Sequence, residues 1–75
     1  MSAIQITYCK PCGYRARAQR VADALRDQLG VQVELVAGKG GIFEIAVDGK
    51  MVARRRRDGF PSEDEIVAAV GGALR

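Results

Sequence analysis

The chain has 75 residues, 48% apolar and 28% charged, with a formal net charge of +3. A chain this short supports one hydrophobic core, so residues 1–75 are read as a single domain; the apolar content excludes a disordered chain, and no apolar run reaches the length of a membrane span. Two cysteines and no histidine are too few for a disulfide-stapled secreted mini-domain, and the N-terminus lacks the basic start and apolar block of a signal peptide, so a cytoplasmic location is expected.

Residues 3–8 alternate apolar and polar side chains, which predicts a strand with one buried face. Residues 9–13 break the pattern. Over residues 14–29, Val21, Ala22, Leu25 and Leu29 recur at helical spacing, and Gly30 is placed to end that helix in a left-handed cap. Val31, Val33 and Leu35 alternate with Gln32 and Glu34 in a second strand, and Gly38-Lys39-Gly40-Gly41 forms a flexible break. Phe43, Ile45 and Val47 define a third strand. Asp48-Gly49 is a two-residue hairpin turn into a fourth strand, Lys50-Met51-Val52-Ala53. Ser62 with Glu65 forms a capping box, and Ile66, Val67, Val70 and Leu74 supply the apolar stripe of a second helix.

The order is β-α-β-β-β-α. A strand-helix-strand start implies a parallel pair with a right-handed crossover, and the hairpin adds antiparallel strands. Alternation in every strand argues against a sheet covered on both faces. The expected fold is therefore α/β in its α+β form: a four-stranded mixed sheet with two helices on one face, a trimmed thioredoxin-like arrangement.

Cys9-Lys10-Pro11-Cys12 follows the first strand and opens the helix, which is where a thioredoxin-like redox motif sits. The first turn of a helix carries unpaired N–H groups and the positive end of its dipole, both of which favour thiolate over thiol. Lys10, Arg15 and Arg17 add positive charge. At least one thiol is accordingly expected to ionise below the ordinary value of about 8.5. Two intervening residues allow the second sulfur to resolve a mixed disulfide, and Pro11 stiffens the turn and suits a helix start. A zinc site needs about four ligands, so this pair could hold zinc only if shared between two copies; two idle reduced cysteines are the other alternative. No cofactor and no metal are expected.

Tyr8-Cys9-Lys10-Pro11-Cys12-Gly13-Tyr14 resembles the Y-C-x-x-C/U-G-Y signature of the selenoprotein W, T and H (Rdx) family. Gly41-Ile42-Phe43-Glu44-Ile45 resembles its G-x-F-E-V strand. Gly49-Lys50-Met51-Val52, the basic run and Gly59-Phe60-Pro61 resemble its later G-K-x-V and G-F-P elements. The resemblance covers nearly the whole chain in order. It implies a thioredoxin-like fold and a redox role linked to glutathione or thioredoxin, in a cysteine-containing member with a CxxC motif. Relatives often carry selenocysteine at the second motif position, where this chain has Cys12, so any peroxidase-like activity should be reduced. Ala53 stands where relatives often have Ser. Thioredoxins attack with the first cysteine, whereas selenocysteine in this family marks the second, so the roles of Cys9 and Cys12 stay open.

Cys9 and Cys12 are thus the expected catalytic pair of a thiol–disulfide oxidoreductase contributing to cell redox homeostasis, with Lys10, Pro11, Gly40 and Gly41 as supporting or partner-contact residues. The expected partners are protein or glutathione disulfides. These should dock across the cysteine motif and the glycine loop rather than along Arg54, Arg55, Arg56 and Arg57, which lie toward the sheet edge and supply long-range attraction. The glycines either admit a partner backbone or simply permit a tight crossing. The arginine run reads as a solvated edge-strand end rather than a nucleic-acid site, because few aromatic residues accompany it. The competing function is a non-catalytic interaction or redox-sensing module using the arginine run and Phe60; Phe60 equally suits pinning the second helix to the sheet.

Overall fold

The computed structural model describes residues 3–57 and 59–74; positions 1, 2, 58 and 75 lie outside the described residues. Six elements follow in the expected order: β1 (Ile4–Cys9), α1 (Arg15–Leu29), β2 (Val33–Gly38), β3 (Phe43–Val47), β4 (Lys50–Arg54) and α2 (Glu63–Ala73). The strands form one mixed sheet in the order β2-β1-β3-β4, with β1 parallel to β2 and antiparallel to β3, and β3 antiparallel to β4.

Helix α1 packs on β1 and β2, α2 packs on β3 and β4, and the helices pack on each other, so both lie on one face. Alternation in the two central strands produces this one-sided core. Ile4, Ile6 and Tyr8 of β1 and Phe43, Ile45 and Val47 of β3 are buried beneath Ala18, Val21, Ala22 and Leu25 of α1 and Ile66 and Val70 of α2. Burying each large aliphatic side chain contributes about 1.5–3 kcal/mol. The opposite face carries Gln5, Thr7, Glu34 and Glu44, with Gln5 donating to Glu34 across β1 and β2 at 2.8 Å.

Strand boundaries differ from the sequence reading because pairing, not composition, sets them. β1 extends through Cys9, whose N–H donates to the Ile42 carbonyl at 2.7 Å. β2 begins at Val33 rather than Val31, since Gly30 adopts the left-handed cap (φ 67°) and the first parallel pair is Ile4 with Val33. β4 does not alternate. A bulge opposite Ile45 and Ala46 places Ile45 against Ala53 and Ala46 against Met51, leaving Val52 as the extra residue. Val52 and Ala53 therefore both pack against the core, while Met51 remains 45% exposed on the open face.

Turn chemistry follows the sequence closely. Asp48 (φ 54°) and Gly49 (φ 83°) both take the left-handed conformation that a tight hairpin needs. Asp48 is held there by two bonds to Ala3, its N–H donating to the Ala3 carbonyl and its carboxylate accepting from the Ala3 N–H, each at 2.7 Å.

The capping box is half formed. Ser62 Oγ accepts from the Glu65 N–H at 3.1 Å, but the Glu65 carboxylate turns outward to accept two hydrogen bonds from Arg56, at 3.0 and 3.1 Å. This guanidinium is the main reason the Glu65 carboxyl ionises below its ordinary 4.5. A lowered folded-state value means that the ionised form stabilises the fold above the unfolded-state value, and that this contribution disappears as pH falls through the lower, folded value. The difference in thermal midpoint between the native chain and E65Q should accordingly be steady near neutrality and shrink as pH falls below 4.5; a difference that does not change with pH would show that the ion pair contributes nothing.

Candidate active site at the end of the central strand

The site is built where β1 ends. Cys9 is its last residue and is fully buried, at 0% exposure, with flanking strands on both sides. Lys10, Pro11, Cys12 and Gly13 then form a tight turn, closed by the Gly13 N–H donating to the Lys10 carbonyl at 3.1 Å. Pro11 occupies the second position of that turn, where its fixed φ is favoured. It does not start the helix: α1 begins at Arg15, because Gly13 (φ 80°) and Tyr14 are needed to redirect the chain.

Cys12 is exposed at the turn, and Cys9 and Cys12 are joined as a disulfide with their Cα atoms 5.3 Å apart. That separation lies within the range a disulfide bridges without distortion of the backbone. The two cysteines therefore belong to unlike environments, one sealed in the sheet and the other exposed at the turn.

Helix α1 starts without a side-chain cap: Tyr14 is its N-cap and donates no capping oxygen, and its first turn carries no acidic residue. The backbone N–H groups of Arg15, Ala16 and Arg17 have no acceptor among the described residues. Their partial positive charge, together with exposed Lys10 and Arg15, favours anionic sulfur at the helix start.

The glycine loop crosses this end of the sheet. Leaving β2 and entering β3 on the far side of β1, it brackets the cysteine motif: the Ile42 carbonyl accepts from Cys9 N–H at 2.7 Å and the Gly38 carbonyl from Lys10 N–H at 3.1 Å. Gly40 (φ 74°) and Gly41 (φ 79°) are left-handed, so the crossing itself requires glycine there. Gly38 is required for a different reason. A Cβ at this position would stand 2.9 Å from Ile42 Cγ2 and 3.3 Å from Thr7 Cγ2.

One element of the arginine run lies much closer to this site than its place in the sequence suggests. Because of the β4 bulge, Arg54 pairs opposite Glu44 on the open face, and Arg55 follows on the helix side. Its N–H donates to the Phe43 carbonyl at 2.9 Å and its guanidinium donates to the Tyr14 hydroxyl at 2.9 Å. The same guanidinium lies against Gly41, 3.7 Å from where a Cβ would stand. The expectation that the run is offset from the glycine loop is thus corrected for Arg55, which joins the loop to the start of α1.

Phe60 lies half-buried beside these residues. Its ring meets Tyr14 edge-on at 4.9 Å and Phe43 at 5.3 Å, and the Arg17 guanidinium sits 3.9 Å above it. It ties the approach to α2 onto the sheet and onto the start of α1. The Arg55–Tyr14 and Arg17–Phe60 contacts are absent from the sequence reading, which treated the arginines by charge alone; their only sequence signal is Tyr14 two residues after Cys12.

This fold and this buried-plus-exposed cysteine pair define a thioredoxin-like domain with a redox-capable CxxC motif. The Rdx family model matches residues 3–71, and the chain belongs to the Rdx family. It is 35% identical over 69 residues to Migration and invasion enhancer 1 of Bos taurus, covering 89% of this chain and 60% of that protein, so it spans well under two thirds of that relative's length. It is 27% identical over 82 residues to Selenoprotein W of Pongo abelii, covering 96% of this chain and 93% of that one. Among solved structures, a Bordetella parapertussis protein superposes with a TM-score of 0.89 at 34% identity, covering 97% of this chain and 98% of the other. A Selenoprotein W-related protein from Vibrio cholerae gives 0.82 at 27% identity, covering 99% and 98%.

The two kinds of glycine requirement separate experimentally. G38A and G40A should each lower stability by about 1–2 kcal/mol, the first by overpacking and the second by backbone strain. Asparagine tolerates the left-handed conformation, so G40N should recover part of the G40A loss, whereas G38N should be worse than G38A. Thermal unfolding of the four variants checks this, and equal behaviour of the two positions would refute it.

Proposed function

We propose that the protein is a thiol–disulfide oxidoreductase in which Cys12 is the attacking thiol and Cys9 the resolving one. The observation that carries this reading is the contrast between exposed Cys12 and fully buried Cys9 within one disulfide. A partner must reach the sulfur it exchanges with, and only the Cys12 side of the pair faces solvent.

In the reduced protein, the Cys12 thiolate attacks one sulfur of a partner disulfide. That bond breaks, a Cys12–partner disulfide forms, and the second partner sulfur leaves as a thiolate that takes up a proton. Cys9, deprotonated, then attacks Cys12 Sγ, forming the Cys9–Cys12 bond and releasing the partner's other sulfur as a thiol. The partner gains two electrons and the pair loses two. A dithiol protein of the thioredoxin type, or two molecules of a small thiol such as glutathione, returns the pair to its reduced form by the reverse exchange.

The uncapped, acid-free start of α1 supports the thiolate in this cycle, and the Pro11 turn holds the two sulfurs at bonding range. Gly40 adds no side chain to the approach to the motif and has open space beside it, and Lys10 adds positive charge to it. A pair that cycles, rather than one that staples, suits a reducing compartment such as the cytoplasm.

With a model disulfide, C12S should lose exchange by at least about 100-fold, while C9S should accumulate a stable mixed disulfide visible by mass spectrometry. Alkylation of reduced C9S against pH should show an inflection below about 8.5. Trapping by C12S and inactivity of C9S would reverse the roles, and inactivity of the reduced native protein toward every disulfide would remove the reading.

A further inference from the structure

An open groove of about 360 Å³ lies at the end of the sheet that carries the cysteine motif. Gly41, Ile42, Phe43 and Glu44 form one wall, and Arg54, Arg55, Arg56 and Arg57 form the other. The groove is continuous with the redox site through three contacts: the Ile42 carbonyl accepts from Cys9 N–H, Arg55 donates to the Tyr14 hydroxyl, and the same guanidinium rests on Gly41. We propose that this groove binds an acidic peptide segment of a protein partner, seating the carboxylates beside Cys12. Naming that partner as the bearer of the exchanged disulfide rests on the thiol–disulfide reading above; the preference for an acidic segment does not.

Of the four arginines in the groove, one is paired with a carboxylate among the described residues. Arg56 is paired with Glu65, and Arg55 is engaged with the neutral Tyr14 hydroxyl. Arg54 and Arg57 are exposed and have no carboxylate partner among the described residues. Glu44 is half-buried in the wall and faces Arg54 across the strands, yet forms no ion pair with it. Guanidinium groups match carboxylates in a two-pronged geometry.

A single-stranded nucleic acid would also meet the arginines, but it needs exposed ring faces on which to stack bases. Tyr14 and Phe43 each meet Phe60 edge-to-face, and Arg17 covers one face of Phe60. The rings beside the groove are therefore used internally, which favours the peptide.

The test has two arms. In the first, fluorescence anisotropy follows binding of cysteine-free peptides to the oxidised protein: a glutamate-rich peptide, its glutamine-matched counterpart, and a competing oligothymidylate. The glutamate peptide should bind about tenfold or more tightly than the glutamine peptide at low salt, with the advantage falling as salt rises. R54Q/R57Q, verified as folded by circular dichroism, should bring that ratio close to one, and R54K/R57K should retain most of it.

In the second arm, the same sequences carrying an internal disulfide are mixed with reduced protein, and the ratio of exchange rates should follow the ratio of affinities. Equal affinity of the two peptides, an undiminished ratio in R54Q/R57Q, or tighter binding of the oligothymidylate would overturn the proposal. Selective binding in the first arm with no exchange for any peptide in the second would uphold the groove and reject the thiol–disulfide reading.

Discussion

The end of the central strand is the point from which the rest of the site is set. β1 is paired on both sides, and the crossing from β2 to β3 must pass over its terminus, so the chain there is gripped from two directions: Cys9 by the Ile42 carbonyl and Lys10 by the Gly38 carbonyl. Each such bond is worth only about 1 kcal/mol, but together they fix where the strand stops and the turn begins. That boundary falls between the two cysteines. One is consequently part of the sheet and the other part of a turn, and the contrast in exposure on which the proposed chemistry rests follows from strand pairing rather than from the motif.

A second layer of contacts holds the neighbouring pieces to this end. Tyr14 links the two halves of the molecule: its hydroxyl meets Arg55 from the β4 side, and its ring meets Phe60 from the segment before α2. Phe43 and Arg17 complete the packing around Phe60. The start of α1 is thereby positioned without the usual side-chain cap, and its free N–H groups stay directed toward the cysteine turn. Local helix stability is given up at the place where the proposed thiolate would benefit from it.

Much of this could be read from the residues. Alternation in residues 3–8 and 43–47 located the central strands, Asp48-Gly49 located the hairpin, Gly30 and Ser62 located the helix ends, and the CxxC motif located the site. What escaped depended on partners distant in sequence. The end of β2 at Gly38 is dictated by Cys9, 29 residues earlier and opposite it in the sheet, and nothing local marks it. Pro11 suited both a helix start and a turn, and Gly13 decided between them. The unequal burial of the cysteines is invisible in the sequence because the alternation stops at Tyr8 and both read as lying beyond the strand; only pairing with the crossing loop takes Cys9 into it. Arg55 was indistinguishable from its three neighbours until the bulge assigned each a face.

That bulge has a consequence for how the chain tolerates insertion and deletion. With Val52 as the extra residue, Arg54 faces Glu44 and Arg55 reaches Tyr14. Were β4 shorter by one residue with the bulge kept, each later residue would be carried one place along and onto the other face, so that Arg55 would take the position of Arg54 and Arg56 that of Arg55. In a mixed sequence such a slip would replace a guanidinium by an unrelated side chain. In a run of four arginines it delivers another guanidinium to the same hydroxyl, so the repeat acts as insurance against frame errors within the strand.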